Sequence, residues 1–246
     1  MSRPWLMVLA IVAASAGGVA LVRQREAPLA QRDGGGARQP ALAVLTSLPL
    51  LFGERFALDG GGSPTLARLE KSYRIVPIAI ADAASLKGQR LLLMAHPRAQ
   101  PADALVELDS WVRRGGRVVL VADPKLDWHS NRLLGDPLRP PPDFADTGLL
   151  AHWGLGLEGP TADGPRTATA GGYTVLTVSP GLLTSNSRRC AVESGGLVAH
   201  CRIGEGEATV IADADFLNVE GEGALDGPTH HNLDLLMAEL SRAESR

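Results

Sequence analysis

RLLLMA (90–95), PADALVELDSWVRR (101–114) and RVVLVA (117–122) follow one another within 33 residues, and their reading decides the architecture. The first and third are continuous apolar runs, the pattern of strands buried on both faces. Between them Leu105, Leu108, Trp111 and Val112 recur at helical spacing. Pro101 suits the first turn of that helix, Asp103 complements its positive N-terminal end, and Arg113 and Arg114 complement its negative C-terminal end. Gly115 and Gly116 supply the left-handed stop. Two apolar strands joined by one amphipathic helix read as a right-handed βαβ unit with parallel strands.

The same alternation extends outward in both directions. ALAVLTSL (41–48) reads as a buried strand, followed by a Gly-rich loop to Ser63 and Pro64, an N-cap and first-turn pair. Leu66 and Leu69 then share a helical face. YRIVPIAI (73–80) is strand-like, and Pro77, lacking an N–H, favours an edge position or a bend. The chain is loop-rich from Leu126 through Pro142. A short helix is expected over 146–153, with Leu149, Leu150 and Trp153 inward, and YTVLTV (173–178) reads as a strand. Segments 191–192 and 197–201 straddle Ser194-Gly195-Gly196, a hairpin turn signal. EATVIA (207–212) reads as a further strand, and a final helix is expected over 229–243, with Leu233, Leu236, Met237 and Leu240 inward.

Of 246 residues, 45% are hydrophobic and 21% charged, and 24 Lys+Arg face 27 Asp+Glu for a formal charge of −3. This excludes a disordered or collagenous chain. Residues 1–40 carry five Arg and two acidic groups, net +3, so the remainder carries −3 − 3 = −6. An acidic body without a clustered Lys/Arg surface argues against nucleic acid as a partner. The uncharged run WLMVLAIVAASAGGVALV begins at Trp5 and ends at Val22. Its length, about 27 Å as a helix, suits a lipid bilayer core of about 30 Å. Residues 1–25 therefore read as a membrane anchor. A cleaved signal with Ala14-Ser15-Ala16 at its processing site is the alternative, and both export the body. The excess of basic residues after the run would keep the body inside the cell; the two cysteines argue for export. Residues 26–40 read as a flexible tether and 41–246 as one α/β domain.

Cys190 and Cys201 flank the hairpin, and in an exported protein their default state is a disulfide, with free thiols as the alternative. Neither sits at a nucleophile elbow, and no second Cys pair offers a zinc site. Asp213, Asp215, His230 and His231 lie after a strand and before a helix, where open parallel sheets gather ligands. Carboxylates with an imidazole can bind a divalent metal or perform acid–base chemistry. The plainer reading is strand punctuation by the Asp pair and helix capping by 229–232. It is preferred because no metal-motif spacing occurs. Asp123, Asp127 and His129 follow another strand and are read in the same way. Trp128, in a polar loop, is a possible surface contact. LDGGGSP lacks the Lys-Ser/Thr of a phosphate-binding loop, and no G-x-S-x-G occurs.

LAVLTSLPLLFGE, LLLMAHP with ALVELDSWVRRGGRVVLVADP, and GEGEATVIADADFL with HHNLDLLMAEL resemble, in this order, the extracytoplasmic domain of gliding-motility-type (GldG-like) auxiliary subunits of ABC transporters. The resemblance covers about residues 41–242. It implies a flavodoxin-like three-layer α/β sandwich with a mainly parallel sheet, similar to class I glutamine amidotransferase-like domains. It also implies a non-enzymatic, cofactor-free component of an export or envelope-assembly system. The chain would sit in a bacterial inner membrane with its body in the periplasm. The amidotransferase relation would place a Cys nucleophile after LLLMA; His96-Pro97-Arg98 stands there, so that activity is not implied. The rival expectation is a metal-assisted hydrolase built on Asp213, Asp215 and His231.

Overall fold

In a computed structural model, residues 39–52, 62–219 and 231–245 are described. The apolar run from Trp5 to Val22, most of the tether, and His230 lie outside them. No described helix is long and apolar enough to cross a membrane.

A seven-stranded sheet organises the body, and its strands follow the apolar runs. In chain order they are β1 (Ala41–Thr46), β2 (Arg74–Pro77), β3 (Leu91–Ala95), β4 (Arg117–Val121), β9 (Cys190–Glu193), β10 (Val198–Ile203) and β11 (Gly206–Ile211). Across the sheet the order is β2-β1-β3-β4-β11-β10-β9. The first five run parallel, and β10 is antiparallel to both of its neighbours. β3 is buried at every position and β11 likewise, which is why their sequences are apolar without alternation. β2 forms one edge and ends at Pro77, where the missing N–H costs no inner ladder bond.

Helices cover both faces. α1 (Pro64–Glu70) and α5 (Asn232–Glu244) bury Leu69, Leu235, Leu236 and Leu240 against Leu42, Val44, Leu93 and Val119. α2 (Ala83–Leu86), α3 (Ala102–Arg113) and α4 (Leu149–Trp153) bury Leu86, Leu108, Val112, Leu150 and Trp153 against Ala43, Leu92, Met94 and Leu120. α3 stops as expected at Gly115, φ +103°. Gly206, opening β11, passes so close to this helix end that a Cβ would lie 2.1 Å from the Val112 carbonyl oxygen. α4 begins three residues later than the sequence indicates, because the Asp146 carboxylate accepts from the Gly148 and Leu150 N–H groups ahead of it.

Two small antiparallel pairs lie outside the main sheet. They are β5 (Leu155–Glu158) with β8 (Leu182–Ser185), and β6 (Pro165–Ala170) with β7 (Tyr173–Val178). β5 and β8 have four residues each, and PRTATA of β6 alternates exposed and half-buried positions with little apolar content, so hydropathy carries no signal there.

Cys190 and Cys201 are direct cross-strand partners of β9 and β10 and form a disulfide. It fastens the last strand of the sheet, and Cys201 is fully buried. Replacing both by Ala is expected to lower the unfolding free energy by about 3 kcal/mol. Urea denaturation with and without reductant measures this; equal midpoints for wild type and variant under oxidising conditions would show that the bond contributes nothing.

α5 corrects the expected inward stripe. Leu233 is only half-buried, and the buried face is Asn232, Leu235, Leu236, Glu239, Leu240 and Ala243. The apolar residues alone point to a rotated face because two buried positions, Asn232 and Glu239, are polar, and each has partners. The Asn232 amide accepts from the Leu176 N–H at 2.9 Å and donates to the Leu176 and Phe216 carbonyls at 2.8 and 2.9 Å. Asn232 is therefore a clamp on β7. The helix N-cap position belongs to His231, which makes no capping hydrogen bond.

Candidate functional site

β4 and β11 are adjacent and parallel, with Val121 opposite Ile211. Continuing that register sets Asp123 beside Asp213 just past the two strand ends. Asp215 follows in a short 3-10 turn, Asp215–Leu217. One carboxylate oxygen from each of Asp123, Asp213 and Asp215 lies within 4.8 Å of the others. Asp213 and Asp215 thus lie together, and Asp123, from the neighbouring strand, lies with them.

All three side chains are shut from solvent, at 0%, 0% and 2% exposure. Backbone N–H groups replace the lost water. Asp123 accepts from Lys125 and Ala214 at 2.8 and 2.7 Å, Asp213 from Val178 and Phe216 at 2.7 and 2.8 Å, and Asp215 from Asp127 at 2.8 Å. These bonds tie the loops after β4 and β11, and the end of β7, into one knot. They fit the punctuation reading of the sequence.

Three buried carboxyls this close cannot all carry charge. Burial, then the charge on Asp123, pushes Asp215 up to about 8. Burial outweighs the N–H bonds at Asp123 and raises it to about 6. Burial and the two neighbouring carboxyls raise Asp213 well above the usual carboxylate range. At neutral pH the cluster therefore retains protons. A divalent cation is the other physical solution, and an all-oxygen donor set suits a hard ion such as Mg²⁺ or Mn²⁺.

The remaining candidates are distributed around this knot. Asp127 presents an exposed side chain that accepts from the Ser179 hydroxyl at 3.1 Å. His129 is exposed on the same loop. Trp128 between them is half-buried and packs on the core, so it is no free surface contact. His231 does not join the carboxylates as expected of a metal-assisted hydrolase. It pairs with Asp234 at 3.3 Å and tilts against the Tyr173 ring at 6.0 Å.

A feature of the same edge that hydropathy analysis passed over is the loop after β4. Leu133, Leu134 and Leu138 are 82%, 89% and 64% exposed. The loop that carries them is braced. The Arg139 guanidinium donates to the Ser130 and Arg132 carbonyls, Asp136 accepts from the Leu138 N–H at 2.7 Å, and Arg98 donates to the Arg139 carbonyl. Leucines in a loop carry no periodicity, and only their exposure marks them.

No family model matches the chain, and no curated protein resembles it in sequence. Among solved structures it is similar to the mmIFT52 N-terminal domain, at 13% identity and a TM-score of 0.51, over 82% of this chain and 97% of that one. It is likewise similar to a cytoplasmic protein from Salmonella typhimurium LT2, at 9% identity and a TM-score of 0.52, over 82% and 99%. These likenesses concern fold alone. An exo-beta-1,4-mannosidase from Opitutaceae bacterium strain TAV5 also matches, at 13% identity and a TM-score of 0.47. The chain covers 36% of that enzyme's length, from 84% of its own.

Proposed function

We propose that the protein is a membrane-tethered, non-enzymatic accessory of an ABC-type transport or envelope-assembly system, of the GldG-like kind, working by binding a protein partner. The observation that carries this reading is the leucine loop. Three large apolar side chains are held in water by a hydrogen-bonded frame, at the sheet edge where α/β domains gather ligands. Their burial in a partner's apolar groove is favourable, and the frame limits the entropy lost on binding. The sealed carboxylates support a binding role, since in this arrangement no substrate reaches their oxygens. The Cys190–Cys201 bond supports an oxidising compartment, and the strand order β2-β1-β3-β4-β11 supports a flavodoxin-like layout extended by the β9–β10 hairpin.

Co-purification from detergent-solubilised membranes tests the proposal. A transporter ATPase is expected with the wild-type chain and is expected to be lost from a Leu133→Asp/Leu134→Asp variant. That variant should unfold within about 0.5 kcal/mol of wild type, because both sites are exposed. A partnerless wild-type monomer would count against the accessory role.

A metal-assisted hydrolase is the second reading, favoured by the convergence of Asp123, Asp213 and Asp215. These residues would hold the ion, which when bound would polarise a substrate oxygen or activate a water. Metal analysis of the purified protein, with Asp215→Ala as the comparison, tests it. A stoichiometric divalent ion lost in the variant would favour the enzyme.

A further inference from the structure

At the opposite end of the strands lies a cleft of about 1100 Å³, walled by the starts of β1, β3 and β4, by the end of α3, and by the α2–β3 turn. Its lining includes Lys87, Arg90, Arg114 and Arg117, against Glu107 and Glu244. That is four positive groups to two negative in a body whose net charge is −6. The sequence hides this grouping: the cations stand in separate segments, and β3–β4 pairing and the return of α3 bring them together. Several basic side chains elsewhere are ion-paired, Arg242 with Glu207 and Glu239, Lys125 with Asp163, and Arg132 with Asp136. Lys87, Arg90 and Arg114 are exposed and make no ion pair among the described residues. Glu244, one of the two acidic residues of the lining, accepts from the Tyr73 hydroxyl at 3.3 Å.

We propose that this cleft binds a phosphate-bearing anion through Lys87, Arg90 and Arg114. Unpaired cations on one concavity have no internal ion pair to break before they meet an anion. The planar guanidinium groups suit two-pronged contact with phosphate oxygens, while the ammonium acts as a point charge. The half-buried Trp111 forms part of the wall, and its ring nitrogen is spent on the Gln89 carbonyl at 3.3 Å, which fixes that ring. The anion has two possible sources, a soluble phosphate or a lipid headgroup. Pro40 lines the cleft, and residues 23–39 join it to the apolar run ending at Val22. The headgroup source rests on the anchor reading given above; the binding chemistry does not.

Hydrogen exchange on the full chain tests the proposal in two arms. In the first, the protein in detergent receives inorganic phosphate or pyrophosphate. In the second, it is held in phosphatidylcholine nanodiscs with or without phosphatidylglycerol. Several-fold slower exchange of amides in segments 86–91 and 114–117 is expected in at least one arm, weakening as salt is raised. Slowing by soluble phosphate alone assigns a soluble ligand, and slowing that requires phosphatidylglycerol assigns the headgroup. The slowing should vanish in a Lys87→Glu/Arg90→Glu/Arg114→Glu variant and persist in Arg202→Glu, an exposed cation outside the cleft. No slowing in either arm, or slowing untouched by the triple reversal, overturns the proposal. Failure of the chain to enter nanodiscs would speak against the anchor and leave the phosphate arm to judge the cleft.

Discussion

Between pH 5 and pH 9, in the presence of a chelator, the protein is expected to lose on the order of 3–6 kcal/mol of unfolding free energy. The cause is the carboxyl knot beneath the strand ends. An aspartate has an ordinary value of 3.8, whereas in the fold Asp215 is held near 8 and Asp123 near 6, with Asp213 also raised. Over the interval between the ordinary and folded values the native state binds more protons than the unfolded chain. The stability contributed by these groups is therefore complete below about pH 4 and drains away as pH climbs through the folded values. Asp215→Asn stays neutral throughout, and its amide oxygen can still accept from the Asp127 N–H. This variant is expected to flatten the upper part of the profile and to surpass wild type at pH 9. Urea unfolding at fixed pH intervals measures both. A wild-type profile that is level or rises from pH 5 to 9 would refute a proton-holding cluster. Adding Mg²⁺ or Mn²⁺ at pH 9 separates the two functional readings: a metal centre regains stability in wild type and not in Asp215→Asn, whereas a structural knot responds in neither.

Removing one guanidinium should have a comparable effect at neutral pH. Arg242 on α5 donates from Nε to Glu239 at 2.9 Å and from its Nη groups to Glu207 and the Thr209 hydroxyl. Both carboxylates are only 4% exposed. His200 meets Glu239 at 2.9 Å from the sheet side. Burial opposes the charge on Glu239, but the hydrogen bonds from His200 and Arg242 outweigh it and hold the carboxyl below its usual range. This network bolts the final helix to β10 and β11. Arg242→Ala withdraws the cation from two buried carboxylates and is expected to cost about 3–5 kcal/mol. Replacing Arg242 and Glu239 together by Met should recover part of that loss, since no charge is then left at position 239. The sign of the pH dependence is opposite to that of the aspartate knot. Stability from a lowered glutamate is present above about pH 4.5 and is lost on acidification, so the penalty of Arg242→Ala should shrink below pH 4. A penalty that is small at pH 7 would mean that the network is decorative, and a large one that is constant with pH would mean that Arg242 acts through packing rather than charge.

The legibility of the candidate site was uneven, for identifiable reasons. Asp123, Asp127, His129, Asp213 and Asp215 stand out because they follow apolar runs, and strand ends are where such folds place ligands. Their grouping was not readable. Asp123 accepts from Ala214, 91 residues further along the chain, and nothing local pairs them. Proximity in sequence made His231 a natural partner for Asp213 and Asp215, yet the start of α5 turns it toward Asp234 and Tyr173. Asn232 and Glu239 were missed because a helix face is usually recognised by its apolar residues, and here two of the buried positions are polar and satisfied.

What the chain determined by itself is the alternation of strands and helices, the double-sided burial of β3, β4 and β11, an edge or a bend at Pro77 of β2, and a hairpin with Cys190 and Cys201 either side of its turn. Each of these follows from forces acting within a few residues: apolar burial, a missing N–H, a glycine turn, two thiols either side of it. Only the tertiary structure decided which strand lies beside which, and with that the aspartate knot, the Arg242 network, the leucine loop's place at the strand C-terminal edge and the cationic cleft at the other. Charge and hydrogen bonding act through space rather than along the chain, so their consequences appear once the register of β4 on β11 and the return of α3 and α5 are set.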